Sequence, residues 1–223
     1  IDDLLGEKNY LLALQCIFDN CNKAAYYRLL QSEYSDPHFL PSQLHKDIVA
    51  IDPKISITTN FDKIYDRACS DEGHSVIPYY DSDNLADIIR SNKRVIIKAH
   101  GTIDNTHNLV FTKREYLKAK KMYPEFYQIL SALFITNTLL FLGCGMNDPD
   151  VNLILEDVYT TTKAHNPHYV VTSNQIHPYK EKYWLETYNV VTLKYGPDHD
   201  DLIENVSILK DEILSYRHSR GLI

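Results

Sequence analysis

Six short runs of aliphatic and β-branched residues, each followed by a helical pattern, constrain this chain more than any other feature of its sequence. The runs are Lys54–Asn60, Ser75–Tyr80, Arg94–Gly101, Thr138–Gly145, His168–Ser173 and Asn189–Gly196. Helical patterns follow at Asp62–Cys69, Asn84–Ser91, Lys113–Thr136 (broken near Pro124), from Pro149 onward, at Tyr179–Tyr188 and at Asp200–His218. Ahead of them, Lys8–Ser32 carries apolar residues at spacings of three and four, a helix or a broken pair, and Ser42–Ile51 forms another helix that Pro53 ends. The runs are continuously apolar rather than alternating, as expected of parallel strands covered on both faces. The expected fold is α/β, a doubly wound Rossmann-like parallel sheet with a helical insertion at about residues 113–137, as one domain over 1–223.

Composition removes several classes of function. Apolar residues are 44% and charged residues 24% of the 223, which excludes a disordered chain. The net charge of −7 argues against sequence-independent binding to nucleic acid, which needs a positive surface to displace counterions. The longest apolar run, Thr138–Cys144, is too short to span a bilayer, and no signal sequence is visible, so no membrane partner and a cytoplasmic location are expected. The four cysteines form no C-x-x-C pair, so reduced thiols are expected and a structural zinc is not.

Polar residues and glycines collect just past the carboxyl ends of the expected strands: Asn60, His100, Gly143 and Gly145 with Asn147 and Asp148, and Ser173 with Asn174. That edge is where open α/β sheets bind ligands. In Gly143-Cys144-Gly145-Met146-Asn147-Asp148-Pro149, a strand breaks into glycines before a capped helix, which suits a phosphate or ribose; a tight turn without ligand is the other reading. In Thr58-Thr59-Asn60-Phe61-Asp62 and Lys98-Ala99-His100-Gly101, an amide, a carboxylate and an imidazole are available to one sugar. Asp62 reads equally as a helix cap, and Ser173 equally as a loop turn. The basic run Lys113, Arg114, Lys118, Lys120 and Lys121 reads as a solvated helix face, and Tyr26, Tyr27, Tyr116, Tyr123 and Tyr127 as core-edge or subunit contacts.

Together these motifs resemble the sirtuin family, specifically its bacterial sirtuin-like branch, whose pattern runs T-T-N-x-D, then H-G at a strand end, then F-L-G-x-x-x-x-D before a helix. Here it reads Thr58 to Asp62, His100-Gly101 and Phe141 to Asp148. The resemblance implies an NAD glycohydrolase with Asn60 and His100 as the catalytic pair. Thr59, Phe61, Asp62, Gly101, Gly143, Cys144, Gly145, Asn147, Asp148 and Ser173 would lie along the nucleotide. NAD would be substrate, and no zinc is expected because the cysteine quartet of deacetylating sirtuins is missing. The family's glycine-rich G-A-G-x-S segment is missing too and would have to lie upstream of Ile1. By the same resemblance the protein would be an anti-phage effector, a homo-oligomer, paired with an ATPase or sensor such as a HerA-type translocase. NAD-dependent deacylation, ADP-ribosyl transfer and a catalytically silent NAD or ADP-ribose-binding regulator are the other readings.

Overall fold

A computed structural model describes residues 1–7, 9–35, 39–70, 73–144, 146, 149–161 and 166–222. The chain divides into two compact units, Ile1–Phe126 and Tyr127–Ile223.

In the first unit the order is α1 (Asp2–Gly6), α2 (Tyr10–Asn20), α3 (Lys23–Tyr34), α4 (Gln43–Ile51), β1 (Ile55–Thr58), α5 (Ile64–Ala68), β2 (Ser75–Pro78), α6 (Leu85–Arg90), β3 (Val95–Lys98), a short 3-10 helix (Ile103–Asn108) and α7 (Lys113–Met122). The periodic stretch before Ser32 is a broken pair: the chain is extended at Cys21 and Asn22, and the Asn22 side chain accepts from the Ala25 N–H at 3.1 Å to start α3. Lys8, where that stretch begins, lies outside the described residues. A capping box opens α7, with Thr112 and Glu115 satisfying each other's backbone N–H groups. Helix α8 (Pro124–Thr136) then starts on a proline, a residue suited to a first turn.

The sheet of this unit is parallel in the order β1-β3-β2. Strand β3 lies between two partners, and its Val95, Ile96 and Ile97 are fully buried, as in a parallel sheet covered on both faces. A second cluster joins Tyr26 and Leu30 of α3 to Phe61, Ile103 and Leu109, with Phe18, Tyr34 and Phe111 packed around it.

In the second unit β4 (Leu140–Phe141), α9 (Pro149–Thr161), β5 (His168–Ser173), α10 (Pro178–Tyr188), β6 (Val190–Tyr195) and α11 (His199–Ser219) alternate. Their sheet is parallel in the order β4-β5-β6. Asn189 ends α10 in the left-handed conformation and turns the chain directly into β6.

All six expected strands are present and parallel-paired, and the α/β class holds. Where the sequence pattern points to one doubly wound sheet, the described residues form two sheets of three strands each. The expected strand 138–145 pairs only over Leu140–Phe141, because Gly143 turns the backbone to φ +62° immediately afterwards. The 3-10 helix at Ile103–Asn108 had no sequence signal, since Ile-Asp-Asn-Thr-His-Asn lacks an apolar period. Among the described residues no helix is long and apolar enough to cross a membrane.

His168 begins β5, buried between the rings of Phe134 and Phe141. Its Nδ1 accepts from the Leu139 N–H at 3.2 Å, a role open only to the neutral ring. Burial lowers its pKa accordingly. Burial also lowers that of His45, whose Nδ1 accepts from the Ser42 N–H. An unfolded histidine gains its proton near pH ~6.5 while these folded ones resist it, so below that value the unfolded state holds more protons and stability falls with pH. Thermal melts from roughly pH 7.5 to 5.5 are therefore expected to show a falling Tm, with each such histidine contributing at most about 1.4 kcal/mol per pH unit. His168→Gln, which keeps an acceptor without the titration, is expected to make that slope shallower.

Candidate functional site

In the first unit the site is built at the carboxyl ends of β1 and β3. Their register pairs Thr58 with Lys98, so Asn60 and His100 each follow two residues beyond a matched pair on adjacent parallel strands. The ladder continues one step further, with the Ala99 N–H donating to the Thr58 carbonyl at 2.9 Å. The sequence-predicted pair is thus brought to one edge of one sheet. Their environments differ: Asn60 is exposed, whereas His100 is buried with its ring edge-on to Tyr116 at 4.9 Å.

Residues on either side of Asn60 are tied down. The Asn60 N–H donates to Thr58 Oγ1 at 3.1 Å. Phe61 turns the other way, into the aromatic cluster against Tyr34 and Phe111, and its carbonyl accepts from the Ile103 N–H at 2.8 Å. Phe61 therefore sits in the core as an anchor of this loop. Asp62 Oδ1 accepts from the Ile64 N–H at 2.8 Å, so its carboxylate closes the turn into α5, the capping half of the two readings given to it. Thr59 is half-buried between them.

Beneath this loop lies a residue that sequence reasoning passed over. Lys98, the last residue of β3, is 1% exposed. Its Nζ donates to the backbone carbonyl of Asp62 and, at 3.4 Å, to that of Asn60. It also lies 2.8 Å from Asp66 Oδ1 of α5, as a charge contact whose angle is not that of a directed hydrogen bond. Lys98 is buried and the Asp66 side chain is 10% exposed, so removing Asp66 alone leaves a buried charge uncompensated, a loss of about 3–5 kcal/mol. The available signal was a lone lysine at the end of the otherwise apolar run Val95-Ile96-Ile97.

Gly101 follows His100 at φ +85°, a conformation that disfavours a side chain. A Cβ there would stand 2.5 Å from the carbonyl oxygen of Asn108. The glycine lets the 3-10 helix segment pass close behind the histidine, and the Val110 N–H bonds the His100 carbonyl at 3.0 Å. Across this segment Lys63 and Asp104 form an exposed ion pair at 2.8 Å.

The second unit carries the remaining candidates. Gly143 is exposed at φ +62° just after β4, and Cys144 is half-buried. Gly145, Asn147 and Asp148 lie outside the described residues. Ser173 ends β5, where its Oγ accepts from the Gln175 N–H at 3.2 Å and donates to the Gly196 carbonyl at 3.4 Å, so the hydroxyl closes a turn. Among the described residues no group of three or more His, Cys, Asp or Glu is placed to hold a metal ion.

Residues 54–193, which include β1, β3 and the loops that follow them, match the family described as "SIR2-like domain". The chain belongs to this family. Among curated proteins, it is 26% identical over 187 residues to "Defense-associated sirtuin 2" of Bacillus subtilis, covering 79% of this chain and 18% of that protein. It is 26% identical over 118 residues to "NAD(+) hydrolase ThsA" of Acinetobacter baumannii (strain 532279), covering 53% and 24%. Against "NAD(+) hydrolase ThsA" of Bacillus cereus (strain MSX-D12) the figures are 24% over 157 residues, 69% and 33%. The SIR2-like chain thus spans between 18% and 33% of the length of these relatives.

Gly101→Ala is expected to destabilise the protein by about 1–3 kcal/mol, from the clash and the left-handed backbone together. Denaturant unfolding followed by circular dichroism measures this, with Gly143→Ala as comparison: its φ is also positive, but its Cβ would meet nothing within 4 Å.

Proposed function

We propose that this SIR2-like chain hydrolyses NAD at the bond between nicotinamide and ribose, giving nicotinamide, ADP-ribose and a proton. The observation that carries the reading is the placement of Asn60 and His100 past matched positions of adjacent parallel strands, within the stretch that matches the family. Relatives named as NAD(+) hydrolases and as a defence-associated sirtuin support the substrate and a role in anti-phage defence.

Leaving as a neutral molecule, nicotinamide needs no strong acid, and positive charge develops on the ribose. Positioning and electrostatics therefore dominate the barrier. The exposed amide of Asn60 orients the attacking water at the anomeric carbon. His100 accepts the proton, from the water or through a ribose hydroxyl; its burial against Tyr116 fixes the ring. In the first unit Thr59, Asp62 and Gly101 are the candidates to line the sugar, with Phe61 holding the loop from below; in the second, Gly143, Cys144, Gly145, Asn147, Asp148 and Ser173 are the candidates for the nucleotide's phosphates and ribose. This reading takes residues 1–223 as one doubly wound domain with the 113–137 helices inserted, acting in a homo-oligomer gated by an ATPase or sensor partner.

The test is nicotinamide release from NAD by the full-length protein, alone and with candidate partners. His100→Ala and Asn60→Ala, checked for folding, are each expected to lower the rate by roughly 10²–10⁴, about 3–5 kcal/mol of barrier. Unchanged turnover in a folded His100→Ala protein overturns the assignment. Tight NAD binding with no release under any condition would instead favour a regulatory nucleotide-binding role.

A further inference from the structure

We propose that Lys98 is the positioning residue of the site, its buried ammonium holding the carbonyls of Asn60 and Asp62 so that the Asn60 amide is presented at a fixed place above the sheet edge. The proposal rests on the hydrolase reading for its kinetic consequence, but the geometry behind it is independent of that reading. Lys98 is 1% exposed and ends a strand whose other residues are Val95, Ile96 and Ile97. Burying an ammonium is costly, and an apolar residue would fill the same space without that cost. What an apolar residue lacks is a donor, and here the donor reaches two carbonyls that bracket Phe61.

The loop's other tethers leave one task to Lys98. Thr58 Oγ1 takes the Asn60 N–H, the Ile103 N–H takes the Phe61 carbonyl, and the Asp62 carboxylate takes the Ile64 N–H. The Asn60 and Asp62 carbonyls face Lys98 instead, and with both held inward the peptide planes on each side of Phe61 have their orientation set. Asn60 is thereby directed outward while Phe61 goes into the core. Asp66 neutralises the ammonium, so the positive charge is offset beneath a site where the substrate sugar itself becomes cationic.

The experiment compares Lys98→Met, alone and combined with Asp66→Asn so that no buried carboxylate is left without its partner, in the full-length protein. Each is measured for nicotinamide release in the wild-type and Asn60→Ala backgrounds, and for amide hydrogen exchange across residues 60–64. A positioning role predicts kcat lower by roughly 10–100-fold with KM for NAD changed less than about threefold. It further predicts that the same substitutions lower kcat less than about twofold once Asn60 is alanine, because Lys98 acts through that residue. Exchange is expected to accelerate in the loop while the rest of the unit stays protected. Full kcat in a folded variant, or an equal loss in both backgrounds, overturns the proposal. If the wild-type protein cleaves no NAD, the hydrolase reading fails, and the exchange measurement alone decides: acceleration confined to the loop sustains the positioning role, and unchanged or uniformly faster exchange overturns it.

Discussion

One buried ammonium organises the first unit's site. Lys98 sits at the end of the central strand of a three-stranded parallel sheet, where both flanks are occupied and water is excluded. A charge in that position must be answered from above, and the answer comes from Asp66 on α5 and from the backbone leaving β1. The strand register, the loop after β1 and the first turn of α5 therefore meet at a single atom. Breaking that pair disturbs all three together, whereas a surface pair such as Lys63–Asp104 is screened and contributes little.

The division of labour between Asn60 and Phe61 follows from this. The carbonyls on both sides of Phe61 are held by Lys98, Phe61 packs into the aromatic cluster, and its neighbour Asn60 faces solvent. On the neighbouring strand Gly101 makes the corresponding contribution: its left-handed backbone brings the 3-10 segment close behind His100. An exposed amide and a packed imidazole thus reach one sheet edge by two different devices, a clamp in one case and a glycine turn in the other.

Much of the secondary structure was legible because period and punctuation are local properties. The β-branched run at Ile55–Thr58 and the break near Pro124 act within a few residues, and β1 and the boundary between α7 and α8 formed where those patterns stood. The shared sheet edge of Asn60 and His100 was legible for a related reason: each closely follows an apolar run, and the two runs pair in parallel. The roles of Phe61 and Ser173 were not. An aromatic residue inside a polar motif reads as a ligand contact until its packing partners, from Tyr34 to Phe111, are known. Likewise, that the Ser173 hydroxyl closes a turn could not be read until Gly196, just past β6, was found to accept from it.

By itself the sequence determined the alternation of strand and helix, the parallel sense of the pairing and the residues that gather past the strand ends, since these follow from hydrophobic period and chain direction. Only tertiary structure decided that strands pair in the orders β1-β3-β2 and β4-β5-β6, that Phe61 faces inward, and that Lys98 carries the loop above it. The physical reason is that burial and charge pairing are long-range. Lys98 and the two carbonyls it holds lie 38 and 36 residues apart in the chain, and nothing local to either segment specifies their meeting.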